Sequence, residues 1–561
     1  MFNKIKCCTI LFAVILCATS CQKDYLDKVP LNGPSSSSFY SNEAELKLGL
    51  VGCYKSINFN INGEPRTWIS ILDMASDIGW NRSNSDVQQM GNGSLTSQTN
   101  AMKQLFTGFY DGIGRCNFLL DNIENLKDKI PSAVYSATKA EARFLRALNY
   151  HYLIELFGGV PLVTRTLKLE ELQVPKSTKE QVADFVLSEM DEAAKDLPDT
   201  YGSQDAQHGR ATKSAALAIK ARTALYNGKF EVAAAAAKAV MDLKQYKLDT
   251  SFPKLFNYDG QTSPEIILSL QFLKGVITQS IPNFYGSRLA GGVSNEVPAQ
   301  SMVDSYECTD GLTIDKSPLF SSAQPFKNRD PRLGYTIVLP GSRYFDVQFE
   351  THPDSLKVWN YAVTPATRIN NTDATNAFAT FTGYLWRKYT DVRDKADDTH
   401  SDMNIILIRY AEVLLNYAEA KIEANQIDQS VYDAINEIRQ RPGVAMPVIT
   451  AGKTQAELRS IVRRERKCEL AVEGLRLFDI RRWKIAEQVM KGPFLGRIKT
   501  AFLASAPTID ANGTPDYSNV PNRNQMRLIE NRNFNPARDY VYPFPNVEVL
   551  TNKSLVQNPN W

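Results

Sequence analysis

The chain has 561 residues, 43% of them hydrophobic and 22% charged, which is enough to bury a large core. The formal net charge is only +3, far below that of a protein built to coat nucleic acid, so that class is set aside at once.

The first twenty residues, MFNKIKCCTILFAVILCATS, differ from the rest. A short basic start (Lys4, Lys6) leads into an apolar stretch that ends in small residues, the layout of a secretory signal over residues 1–20. The segment is too short to span a bilayer comfortably. Cys21 follows directly and resembles the lipidated cysteine of a lipobox, with Ala18 at the usual aliphatic position. Acyl chains there would anchor the protein to a membrane. Loss of Lys4 and Lys6 leaves the mature chain close to neutral. Of the eight cysteines, Cys53, Cys116, Cys308 and Cys468 lie beyond Cys21, far apart and without CxxC spacing, so neither a zinc site nor a disulfide framework is expected.

Residues 21–40, QKDYLDKVPLNGPSSSSFY after the cysteine, are polar and rich in Pro, Gly and Ser and read as a tether. From 41 to 260 the pattern is helical. Asn42 can cap a helix with Glu45 at its third position, and Leu46, Leu50 and Tyr54 follow at helical spacing. SATKAEARFLRALNYHYLIELFGGVP carries a stripe of Phe144, Leu148 and Tyr152 and stops at Gly158-Gly159. Another helix runs from about Lys179 to Leu197. KSAALAIKARTALYNGKFEVAAAAAKAVMDL then reads as two helices joined at Asn227-Gly228, with alanines allowing close approach and Tyr226 and Phe230 filling the wedge, a pattern that resembles a tetratricopeptide pair. From about Tyr246 to Met403 the chain is rich in Gly, Pro, Ser and Asn and contains long loops, and residues 261–561 form a loop-rich region that ends in further helices. RYAEVLLNYAEAKIEANQIDQSVYDAINEIRQRPG then repeats the helix-pair idea, with Leu407, Ala411, Leu414 and Ala418 facing inward. Stacked helix pairs bind through a concave face or through inserted loops.

RRERKCELAVEGLRLFDIRRW, from Arg463, interleaves acids with bases, which spoils a phosphate-binding stripe. Glu465, Glu469 and Glu473 recur at helical spacing, placed to pair with Arg464, Arg466, Arg476 or neighbouring helix ends, and Gly474 marks a bend. The reading is a scaffold network. No G-x-S-x-G, dinucleotide loop or phosphate loop occurs, Asn257–Gly260 lacks the first acid of a calcium loop, and His151, His208, His352 and His400 are isolated. His151 reads as a packed helix residue. No cofactor and no metal is expected, and nothing argues for catalysis.

Several segments together resemble the SusD/RagB outer-membrane lipoproteins: Cys21 with YLDKVP, EARFLRALNYHYLIELFGGVPLV, the Asn227-Gly228 helix pair, IILIRYAEVLLNYAEAK, the charged stretch from Arg463, and YVYPFPNVEVLTNKSLVQNPNW at the end. The resemblance implies a mainly α, SusD-like fold with four tetratricopeptide-like helix pairs and a loop-rich ligand-binding side. It also implies a lipid-anchored lid at the cell surface. Such a lid binds oligosaccharides or polysaccharide and passes them to a SusC-like TonB-dependent outer-membrane barrel. A peptide or other nutrient is the alternative ligand, and a surface hydrolase or a purely structural subunit are the other classes.

A glycan site needs exposed aromatic faces beside planar hydrogen-bonding groups. SDIGWNRSNSD offers Trp80 with Asn81, Arg82 and Asp77 in a stretch that reads as too polar for core. Tyr285 (IPNFYGSRLAGG), Tyr306 (VDSYECTDG) and Trp359 (LKVWNYAV) are further candidates, whereas Trp68 and Trp386 read as structural. Trp80→Ala is therefore expected to weaken binding with little loss of thermal stability.

Overall fold

A computed structural model describes residues 40–62, 66–202 and 205–561; the signal segment, Cys21 and the tether fall outside them. Ten helices build the scaffold: α1 Glu43–Lys55, α2 Asn100–Ile123, α3 Ser132–Phe157, α4 Lys179–Asp196, α5 Lys213–Tyr226, α6 Phe230–Leu243, α7 Tyr410–Glu423, α8 Gln429–Arg439, α9 Gln455–Glu469 and α10 Arg476–Arg482. Helices α2 to α8 stack in series, and α6, from before the loop-rich stretch, packs on α7, from after it. The result is the mainly α arrangement of helix pairs that the sequence predicts.

Local chemistry sets the boundaries. The Asn42 side chain accepts the Glu45 N–H (3.0 Å) while the Glu45 carboxylate accepts the Ser41 N–H (2.8 Å), fixing the start of α1. Gly228, at φ +71°, turns the chain between α5 and α6, and Ala216, Ala221, Ala224, Ala233 and Ala237 are buried where the two meet. Tyr226 plugs the wedge, 6.2 Å from the Phe478 ring. His151 is buried in α3 with its Nδ1 3.0 Å from the Thr223 hydroxyl, and burial pushes its pKa well down. Leu407 is buried as expected but not on a helix: the helix starts at Tyr410, and Leu407 lies in a strand, Ile405–Arg409, paired antiparallel with Ile266–Leu270.

The charged stretch is scaffold, and its pairing is of longer range than helical spacing suggests. Glu469 ends α9, fully buried, and takes Arg409 (2.8 Å), Arg441 (2.8 Å) and Arg332 (2.9 Å). Glu465 takes Arg332 and Arg439, and Glu473 takes Arg409 and Lys388. Of the three nearby arginines, only Arg466 pairs within the stretch, with Asp479; Arg464 reaches Glu307 and Arg476 reaches Asp77. Gly474 makes the corner between α9 and α10 at φ +75°, donating its N–H to the Asp73 carboxylate (3.1 Å).

Most strands are short and serve the loop-rich side, while the pair Ile266–Leu270 and Ile405–Arg409 packs into the core of the helices. In chain order they include β1 Gly79–Asn81, β2 Ile266–Leu270, β3 Glu296–Pro298, β4 Arg343–Tyr344, β5 Val347–Gln348, β6 Lys357–Asn360, β7 Thr367–Asn370, β8 Ile405–Arg409, β9 Lys491–Ile498 and β10 Met526–Asn533, and two further two-residue pairs, Ile337–Val338 with Leu385–Trp386 and Thr508–Ile509 with Pro515–Asp516, complete the set among the described residues. β1 pairs with β3, β2 with β8, β9 with β10, and β4 to β7 form a four-stranded antiparallel sheet. Beneath these loops lies a second hydrophobic core, separate from that of the helices, built from Trp80, Val297, Val338, Tyr344, Phe349, Leu385 and Phe494. Phe345 and Phe381 sit half-buried at its surface.

Candidate ligand-binding site

The structure relocates most of the predicted site residues into the protein. Trp80 is 7% exposed. It stands in β1 opposite Val297, and its ring packs under Phe381 (centroids 5.5 Å apart). It buttresses the loops and is no open platform. The polar stretch around it misleads because its partner strand lies more than two hundred residues away. Asn81 is fully buried, donating to Glu296 (2.8 Å) and accepting the Ser83 and Asn84 N–H groups. Asp77 is buried and held by Arg476 at 2.8 and 2.9 Å, with Lys467 at 3.5 Å. Burial raises its pKa, but Arg476 and Lys467 outweigh that and hold the carboxyl well below the usual range. Tyr285 and Tyr306 are buried, the latter with its hydroxyl 3.4 Å from the Cys468 carbonyl. These five belong to the fold. Trp359 is 41% exposed on β6, stacked on Arg368 across the strand pair (5.0 Å), and no contact joins it to Arg82.

Arg82 is the residue of the predicted set that reaches a surface site. Its backbone is fixed by Asn295 (N–H to carbonyl, 2.8 Å), and its guanidinium donates to the Phe378 carbonyl (2.6 Å) and the Val293 carbonyl (3.3 Å). Arg288 donates from Nε to the same Phe378 carbonyl (3.2 Å). Arg527 donates to the Thr380 and Phe381 carbonyls (3.0 and 3.2 Å). Three guanidinium groups therefore hold the turn 376–381 by its backbone. Asn376 completes it by accepting the Phe378 N–H (2.7 Å). The turn presents the Phe378 ring outward, 60% exposed, with Arg82 5.3 Å from its centroid and 5.9 Å from that of Phe381. Burial, and then the neighbouring Arg288, lower the pKa of Arg82; burial lowers that of Arg288, with Asp373 opposing. Asp373 lies beneath, accepting the Ser287 hydroxyl (2.5 Å) and the Arg288 N–H (2.8 Å), and burial pushes its carboxyl up to about 6.

A cleft of about 600 Å³ opens on the same loop-rich region, lined by Tyr335, Phe345, the basic Arg343 and Arg387, and Arg393 with the acidic Asp259, Asp346 and Asp391. Phe345 also borders a smaller hollow against Gly286, Ala290 and Gly292, in the loop that carries Arg288. Phe345 holds a φ of +52°, a strained conformation for a bulky residue, and stacks on Tyr344 (4.0 Å). Arrays of this kind suit a ligand with both apolar faces and hydrogen-bonding edges.

The sequence reading missed Arg288, Phe378, Phe381 and Arg527. Phe378 was findable by the argument applied to Trp80, since NTDATNAFATFTG is as polar a setting, and Arg288 is three residues from Tyr285. Among the described residues no group of three or more His, Cys, Asp or Glu is placed to hold a metal, and no helix is long and apolar enough to cross a membrane.

Residues 264–561 match the model of the SusD family, and residues 24–225 match a model described as starch-binding, associating with the outer membrane. SusD-like protein P25 of Formosa agariphila is 26% identical over 521 residues, covering 87% of this chain and 92% of that protein. The starch-binding protein SusD of Bacteroides thetaiotaomicron is 26% identical over 517 residues, covering 83% and 87%. The crystal structure of a SusD-like carbohydrate-binding protein from Bacteroides fragilis superposes with a TM-score of 0.80 at 30% identity, covering 92% of this chain and all of that one. With the family model matching over half the chain and the fold matching nearly throughout, this chain belongs to the SusD family.

Proposed function

We propose that the protein is a cell-surface lipoprotein that binds oligosaccharide or polysaccharide on its loop-rich side and delivers it to a SusC-like TonB-dependent barrel, without catalysing a reaction itself. The observation that carries the reading is the Phe378 ring, exposed beside Arg82 and Arg288, because an open aromatic face flanked by planar donors suits the C–H faces and hydroxyls of sugars. Relatives described as binding starch and carbohydrate support the ligand class. The outer-membrane association in the second family description and the lipobox-like Cys21 support the location. Trp359 with Arg368 offers a second aromatic contact on the neighbouring sheet.

The test uses chain from residue 22 onward, run through native gels cast with individual polysaccharides and then by titration calorimetry. Retardation by at least one glycan, reduced in Phe378→Ala, is expected. No retardation by any glycan, with binding of peptides instead, would overturn the reading. Co-purification of the full lipoprotein with a TonB-dependent barrel tests the delivery role.

A further inference from the structure

We propose that the glycan taken at this site is acidic, its sugars carrying carboxylate or sulfate groups; this rests on the glycan-binding reading above. In the scaffold, Arg222, Arg332, Arg409, Arg441 and Arg466 are buried, and each is met by at least one carboxylate. On the loop-rich side the pattern inverts. Among the described residues, no carboxylate oxygen lies within 4.0 Å of the guanidinium of Arg82, Arg288, Arg527, Arg343 or Arg387.

These five lean on neutral partners instead. Arg82, Arg288 and Arg527 donate to the carbonyls of the turn 376–381, and Arg387 donates to the Arg343 carbonyl (3.1 Å). A carbonyl satisfies a hydrogen bond but neutralises no charge. Arg82 and Arg288 share one oxygen, so their donating nitrogens lie within about 6 Å of each other, close enough to repel. The carboxylates of the surrounding loops do not contact these guanidinium groups: Asp346 pairs with Lys395 and Asp391 with Arg393, while Asp373 accepts from Ser287 and a backbone N–H and Asp398 from Asn283. The five guanidinium groups therefore present donors with no carboxylate in contact, Asp373 offsetting Arg288 only from beneath.

A neutral glycan could stack on Phe378 and use some donors, but it would leave the charge as it is. A uronate or a sulfate ester supplies trigonal or tetrahedral oxygens that accept two guanidinium N–H groups at once and cancel the repulsion. Arg343 and Arg387 add two more guanidinium groups without a carboxylate in contact in the cleft, whose wall also carries Asp259, Asp346 and Asp391, so the anion site is centred on Arg82 and Arg288.

The experiment sets three panels side by side on the chain from residue 22 onward: neutral polysaccharides (starch, laminarin), uronate polymers (polygalacturonate, alginate) and sulfated ones (carrageenan, chondroitin sulfate). Binding to an acidic polymer is expected, weakening at least tenfold between about 50 and 500 mM NaCl. Arg288→Gln and Arg82→Gln should each lose about tenfold in affinity with at most a small drop in melting temperature from the lost bonds to the turn 376–381, while Lys47→Gln on the exposed side of α1 changes neither affinity nor melting temperature. Chemical reduction of the uronate, or desulfation, tells which anion is read, and loss of binding in either arm supports the proposal. Salt-independent binding of a neutral polymer, indifferent to Arg288→Gln, would overturn the acidic inference and leave glycan binding standing. Absence of binding to all three panels overturns both.

Discussion

Glu469→Gln probes the interior charge network at its most connected point. The Glu469 carboxylate accepts from Arg409 and Arg441 on one oxygen and from Arg332 on the other, all three contacts at 2.8–2.9 Å and all four side chains buried. Each pair is worth roughly 4 kcal/mol at 4 Å between charges and an effective dielectric of about 20. That sum is not the net effect, because glutamine removes the desolvation cost of the carboxylate. The arginines also keep Glu265, Glu473, Glu465 and Asp330. Glutamine still places an NH₂ against at least one guanidinium and leaves a cationic excess in the core, for which about 3–5 kcal/mol is the expected loss. Urea denaturation followed by circular dichroism, which leaves ionic strength unchanged, reads this as a lower midpoint. The effect should shrink in acid. Burial raises the Glu469 pKa, but Arg441, Arg409 and Arg332 outweigh it and hold the carboxyl well below its usual range. A depressed folded-state pKa gives stability that is present above the unfolded value of about 4.3 and lost as pH falls below it. A loss under about 1 kcal/mol at pH 7, or one that does not narrow below pH 4, would refute the reasoning.

Trp80→Ala is expected to cost about 3–5 kcal/mol of stability, reversing the expectation from sequence, and thermal melting decides it. Phe378→Ala should leave stability within about 0.5 kcal/mol while weakening glycan affinity about three- to tenfold, read by calorimetry. The folded Asp373 carboxyl titrates at about 6, against about 3.9 when unfolded, so the folded state holds a proton that the unfolded state releases. Stability should therefore fall as pH rises from about 4 to 6, by at most about 3 kcal/mol, and Asp373→Asn should flatten that slope in denaturation curves measured across pH. Gly474→Ala would place a methyl 2.5 Å from Ile69 Cγ1 and 2.8 Å from its carbonyl, at a positive φ, and should cost about 2–4 kcal/mol in the same assay.

Helices were readable because their signals are local. Asn42 with Glu45, the Asn227-Gly228 turn and the alanine-lined α5–α6 contact all act within a few residues of chain. The charged stretch was recognisable as scaffold for the same reason, since alternating acids and bases are visible in a window. Its partners were not, because Arg332, Arg409 and Arg441 reach Glu469 from three distant segments. The site was harder still. Whether an aromatic in a polar loop faces solvent depends on what covers it: β3 and Phe381 cover Trp80, while Phe378, with Arg82 at its ring, stays 60% exposed. Sequence composition treats the two alike.

The buried ion pairs also bear on how such a sequence can change over generations. Arg222 meets Glu412, Asp77 meets Arg476, and Arg409 meets Glu265, each pair fully or almost fully enclosed and each joining residues more than a hundred positions apart. Losing one member strands the other as an uncompensated charge, whereas replacing both by apolar residues of similar volume can be nearly neutral. Inheritance through this interior thus proceeds by coupled steps: among distant relatives, the two ends of a pair should be kept together or lost together, while Phe378 and the loops around it vary one residue at a time.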